Sequence, residues 1–262
     1  GLGMLAFQDN KPEGAIVQFT RALGIDPAIP SALAGRGRSH QQLGELEEAG
    51  ADFTAAITMR PADSNVHADA LLGRAEVAID LDKPEAAIAD LSTATKLVPQ
   101  PAAELLARCY TTRAQVRIDK KDRTEEDLGM AIQDLETAVK HDNSLADGHR
   151  AKIVRALIDL GEMKIAMHVK NPDMVVINSA ISQLLRVLDA DPDATELIRA
   201  PLTRAYHLRG KLFHTKGDFP SAINDYQEAI KTDPGIQVVV SPDLALAFLG
   251  QGKMSLQRGE LD

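Results

Sequence analysis

The chain has 262 residues, with 29 lysines and arginines against 38 aspartates and glutamates and a formal net charge of −9. That acidity argues against a nucleic-acid partner, whose phosphates need clustered cations, and no apolar run approaches the roughly 20 residues that cross a bilayer. One cysteine, Cys109, allows no internal disulfide and no thiolate zinc site, and 3% aromatics without tryptophan suit packed helices better than a sheet, so the expected fold class is all-α.

Along the chain, one pattern recurs. Its first copy is Gly3, Ala15, Phe19, Ala22 and Pro27, its second Gly37, Ala49, Phe53, Ala56 and Pro61, and its clearest late copy Gly210, Ala222, Tyr226, Ala229 and Pro234. Pro27 to Pro61 is a step of 34 residues. Shorter versions fill the middle: Ala87, Leu91, Ala94 and Pro99; Ala131, Leu135, Ala138 and Asn143; Ala180, Leu184, Val187 and Pro192. There the steps lengthen to 44 from Ala94 to Ala138, 49 from Ala138 to Val187 and 42 from Val187 to Ala229, so longer helices or inserted loops must absorb the excess.

Each copy reads as a pair of helices. Small residues such as Gly210 and Ala222 let the helices approach closely, and Phe53 or Tyr226 fills the space between layers. Proline stops the second helix, because it lacks an amide hydrogen and pushes the preceding residue out of the α region. Asp26, Asp191 and Asp233 stand before three of these prolines and suit a turn. Gly44, Gly217 and Gly259 mark the turn within a pair, with Asn10 and Asp82 in the corresponding place elsewhere, both types that tolerate positive φ.

On these residues the sequence resembles the tetratricopeptide repeat family, over nearly all of its length. The resemblance implies an α-solenoid, a right-handed superhelix of about six to seven repeats in a single array. The repeats fall near residues 1–28, 29–63, 64–100, 101–144, 145–193 and 201–235, with a partial one at 243–262. The chain reads as a window from a longer array, with Leu246, Leu249 and their apolar neighbours partly exposed.

Chemical motifs fail on inspection. Asp189, Asp191 and Asp193 alternate as in a calcium loop, but Ala194 replaces the glycine and Ala200 the bidentate glutamate. The run "LGQGKMS", residues 249–255, lacks the first glycine and the hydroxyl of a phosphate loop and sits in an expected helix. No serine or cysteine has a base beside it, and Cys109 reads as a packed thiol. No catalytic residue, metal site or cofactor is expected.

Function in this family is binding, and the resemblance implies that the first helices line a concave groove. In the best-preserved repeat the groove positions are Arg204, His207, Lys211 and His214, at i, i+3, i+7 and i+10 on one helical face. This basic stripe in an acidic chain suits a carboxylate or an acidic peptide segment. Matching positions elsewhere include Arg38 and Gln41, Arg108 and Gln115, Asp69 and Glu76, and Lys253 in the last first helix. The two-carboxylate clamp of chaperone-tail binders is absent from the first three repeats, where Met4, Gly35, Asp69 and Gly73 occupy its places. Arg36, Arg74, Arg113 and Arg209 each precede the small residue of a first helix, where the family generally has an apolar side chain, and a structural role is expected for them.

Two β-branched runs, residues 173–180 and 236–240, read as long loops packed on the solenoid or as edge strands for a partner. The charge run at 120–127 reads as solvated loop and helix ends. The expected function is a protein-interaction scaffold in the cytoplasm, with a peptide or protein partner and neither nucleic acid nor membrane. Alternatives are the regulatory region of a larger enzyme and an array that self-associates through its terminal helices.

Overall fold

The computed structural model describes residues 11–258. Among them are twelve α-helices, three short 3-10 turns and no strand, an all-α solenoid. The helices are α1 (Pro12–Ile25), α2 (Pro30–Gln42), α3 (Leu46–Thr58), α4 (Ser64–Asp80), α5 (Pro84–Ala94), α6 (Pro99–Asp119), α7 (Glu125–His141), α8 (Ala146–Lys170), α9 (Met174–Ala190), α10 (Thr195–Thr215), α11 (Phe219–Thr232) and α12 (Gln237–Arg258). Gly3, Met4, Asn10 and Gly259 lie outside the described residues.

Contacts divide the chain into two compact units, one running up to residue 116 with 134–145 added, the other holding 117–133 and the residues from 146 onward. In the first unit α1 to α5 each pack on the next, and α2 also packs on α4, its counterpart in the following pair. The second unit repeats the scheme: α8 to α12 pack in sequence, and α10 touches both α8 and α12. Successive first helices thus meet in both units, α2 with α4 in the first and α10 with α8 and α12 in the second.

Glycine and aromatic residues set the approach of these helices. The Phe53 ring is fully buried between α2 and α4, where a Cβ at Gly37 would stand 3.0 Å and a Cβ at Gly73 2.3 Å from its carbons. Phe19 fills the hole at Gly35 in the same way, at 2.5 Å, and Tyr226 the one at Gly210, at 2.6 Å. Leu184 does this for Gly161 at 2.7 Å. Such contacts leave no room for any side chain, so the rings and the glycines specify each other.

The turns follow their chemistry. Gly44 and Gly217 both hold φ at 77°, and Asp82 takes the same role at 54°. Arg60, also left-handed at 48°, carried no signal in the sequence. The Oδ1 atoms of Asp26, Asp191 and Asp233 each accept a hydrogen bond from the amide two residues on, at 2.9, 3.1 and 2.9 Å, closing the turns around the prolines.

The excess over 34 residues is taken up by helix length: α6, α8, α10 and α12 have 21, 25, 21 and 22 residues, against 13 in α2. The β-branched runs are helical and neither loop nor strand. Asp173 caps α9, its Oδ1 accepting from the Val175 amide at 2.6 Å, and residues 237–240 open α12 behind a 3-10 turn at Pro234–Ile236. Capping outweighs β-propensity there. Residues 120–127 bridge two helix ends as expected, with Lys120 Nζ 3.0 Å from Asp127. Leu246 and Leu249 are 52% and 54% exposed.

Candidate functional site

The four recurrent arginines are structural. Each reaches from its first helix to an aspartate on the second. Arg36 meets Asp52, Arg74 meets Asp90 and Arg209 meets Asp225, each with Nε and Nη2 at 2.7 Å from the two carboxylate oxygens. Arg113 holds Asp134 at 3.0 and 2.7 Å. The aspartates are nearly enclosed, and hydrogen bonding to them, ahead of opposing burial, holds each guanidinium above its ordinary pKa. The aspartate partner was the half of this motif that the sequence did not announce, because acidic residues are common throughout the second helices.

In the first unit, Arg38 on α2 faces α4. Its Nη2 lies 2.9 Å from Asp69 Oδ1, its Nη1 pairs with Glu76 Oε2 and lies 3.2 Å from Gln41 Oε1, and Gln41 Nε2 donates to the same Glu76 oxygen at 3.0 Å. Burial pulls the Arg38 pKa down, and the attraction of Asp69 and Glu76 more than restores it. The guanidinium also stacks 5.6 Å above the Phe53 ring. One cation among two carboxylates gives this face a net negative balance. Beside it a cavity of about 280 Å³ opens between Ser31, Ala34, Asn65 and Val66. On α6, Arg108 is exposed and Gln115 half-buried, and the pair is not drawn into the Arg38 network.

In the second unit, the basic stripe on α10 divides. His207 Nε2 lies 2.7 Å from Asp243 Oδ2 on α12, and its ring meets Tyr226 edge-on at 5.8 Å. His214 packs edge-on against Phe219 at 5.4 Å. Arg204 and Lys211 are exposed and enter no ion pair among the described residues, and Lys253 on α12 is likewise exposed. The stripe therefore presents two open cations and two committed imidazoles. The pairing of His207 and of Arg38 was hidden because both partners lie on the next first helix, more than 30 residues away.

Cys109 is fully buried on α6. Burial pushes its thiol up to about 11, against the weaker opposing pull of Arg108 and Arg113, so it is no nucleophile near neutrality. Among the described residues no three His, Cys, Asp or Glu side chains gather as metal ligands, and no helix is long and apolar enough to cross a membrane.

Two family models, each described as tetratricopeptide repeat, match residues 1–64 and residues 203–236. Similar solved structures include a tetratricopeptide repeat protein from Parabacteroides merdae, 16% identical, with 94% of this chain and 96% of that one covered and a TM-score of 0.42. The TPR2AB-domain:pHSP90 complex of yeast Sti1 is 17% identical, with 95% of each chain covered and a TM-score of 0.42. MamA from Desulfovibrio magneticus RS-1 is 18% identical, with 73% and 92% covered and a TM-score of 0.41. No curated protein matches the chain. Repeat models match near both ends and the same glycine and ring packing recurs in both units, so the matched stretches, residues 1–64 and 203–236, are tetratricopeptide repeats within an all-α repeat chain.

Proposed function

We propose that the chain is a protein-interaction scaffold, with no chemistry of its own, that holds a peptide or protein segment on the concave face of its first helices. The observation that carries this reading is the state of α10, where Arg204 and Lys211 stand exposed on one face with no ion pair among the described residues while the recurrent arginines are all tied to aspartates. Two open cations seven residues apart suit a segment carrying carboxylates at a similar spacing, each exposed contact contributing about 0.5 to 1 kcal/mol. Arg108 and Lys253 extend the same role to other first helices, while Arg38, Gln41, His207 and His214 shape the face through their intramolecular partners. The buried, single cysteine fits a cytoplasmic setting.

Selection from a random peptide library, followed by titration of the selected peptides, tests the proposal. Acidic sequences should be enriched, and Arg204→Glu with Lys211→Glu should weaken them at least tenfold. Unchanged affinity in the double variant sinks it. A second reading, self-association through α12, is favoured by Leu246, Phe248 and Leu249, all about half exposed. A molar mass by light scattering that stays monomeric across a concentration series excludes it.

A further inference from the structure

The second unit contains a cup that the binding face does not require. It lies where α8 and α10 approach the turns leading into their second helices, and it encloses about 270 Å³. Val169 and Pro172 form one wall, Leu208 and Leu212 the other, with Lys211 and Thr215 at the lip. Its volume falls below the roughly 300–1,000 Å³ of small-molecule sites, and its lining offers almost no polar group to orient a ligand within it. One side chain of a partner fits these limits better than a metabolite.

The wall is pre-formed. His168 is 3% exposed, and its Nδ1 accepts the Asp173 amide hydrogen at 3.1 Å, which ties down the segment carrying Pro172. Val169 in this wall is itself 61% exposed. Lys211 is part of the lining, and Lys170 and Lys216 directly follow the lining residues Val169 and Thr215 in the sequence. All three are exposed and hold no ion pair among the described residues. Asp173 and Asp218, which follow Pro172 and Lys216 closely in sequence, are occupied in capping α9 and α11. An apolar hole with one open ammonium group in its lining and two more on adjoining residues, in a chain of net charge −9, suits an apolar side chain flanked by carboxylates.

We propose that this cup docks a single bulky aliphatic side chain of a protein segment that carries carboxylates on either side of it, the ammonium groups of Lys170, Lys211 and Lys216 pairing with those carboxylates. The inference rests on the reading of Lys211 as facing a ligand and adds to it an apolar anchor at the edge of the first helices. Electrostatics select the acidic segment, and the buried side chain fixes its register.

Two fluorescein-labelled peptides test it: one with a single leucine flanked by two glutamates on each side, and the same peptide with alanine at the leucine. The leucine peptide should bind the intact chain roughly tenfold more tightly by fluorescence anisotropy, the ratio expected from burying the larger side chain. Val169→Glu, at an exposed position where folding is not at stake, should abolish the ratio. Lys211→Glu should weaken both peptides, and Arg204→Glu, outside the cup, should leave the ratio intact. Equal affinity for the two peptides, or a ratio that survives Val169→Glu, overturns the inference. If library-selected peptides still depend on Arg204 while leucine gives no advantage, the cup fails and the scaffold stands; if none binds but the leucine ratio holds, the reverse is true. Sedimentation with phosphatidylserine vesicles that depends on Val169 and is not displaced by the leucine peptide would assign the cup to a lipid surface instead.

Discussion

Arg209 and Asp225 join the two helices of one repeat through parallel hydrogen bonds, Nε and Nη2 each 2.7 Å from a carboxylate oxygen, with the Asp225 side chain only 2% exposed. Enclosure decides the energetics. Arg209→Leu leaves a buried carboxylate without its partner and should cost about 3 kcal/mol, while the double variant Arg209→Leu, Asp225→Ala should recover to within about 1 kcal/mol of the parent. By contrast, Lys231 pairs with Glu228 at the surface, with 76% of its side chain exposed, and Lys231→Ala should change stability by less than about 0.5 kcal/mol. Urea unfolding midpoints of the four proteins check this, and a double variant no more stable than Arg209→Leu would refute it.

Glycine substitutions should split by sign. A Cβ at Gly73 would stand 2.3 Å from the Phe53 ring, so Gly73→Ala should destabilise by about 1–3 kcal/mol, and Phe53→Leu in the same chain should lessen the added penalty. Gly129 lies inside α7 with nothing within 4 Å of an added Cβ, and Gly129→Ala should stabilise by about 0.5–1 kcal/mol. Thermal unfolding of both variants measures the difference, and shifts of the same sign would contradict the packing account.

Alkaline conditions should loosen the fold in a defined window. The Cys109 thiol titrates near 11 in the folded chain because burial disfavours the thiolate, against an ordinary value of 9.0. The unfolded chain therefore releases this proton first, and stability present below pH 9 is lost as pH rises toward 11. Burial raises the Tyr226 hydroxyl too, reinforced by Asp243 and Asp225, in the same direction. On the acid side burial lowers the His149 imidazole, helped by Lys152, so neutral His149 contributes stability that falls away as pH drops below about 6.5. Urea midpoints from pH 5 to 11 should trace this dome, and iodoacetamide should label Cys109 at pH 8 only once the chain unfolds. Rapid labelling of the native chain at pH 8 would count against burial of the thiol.

The stacking residues were legible because each performs a packing task that few other side chains can perform. Gly37, Phe53 and Pro61 announce a close approach, a filler and a stop, and spacing alone assembles them. The left-handed turn at Asp82 was equally legible, since aspartate is one of few residues to accept it. Arg209 was conspicuous, but Asp225 was one acid among many in the sequence. The Arg38 network and the contact of His207 with Asp243 depend on how successive first helices are offset, which no local periodicity encodes. The β-branched run after Asp173 misled because side-chain preference pointed to a packed loop or an edge strand while a single capping carboxylate started a helix.

Phe53 belongs by sequence to one helix pair, yet half of the hole it fills, at Gly73, belongs to the next. The unit that evolution could duplicate or delete without a scar is therefore not the helix pair. It is the pair together with the first helix that follows, because a copy inserted alone arrives with its ring and must find a glycine waiting in whatever comes after it.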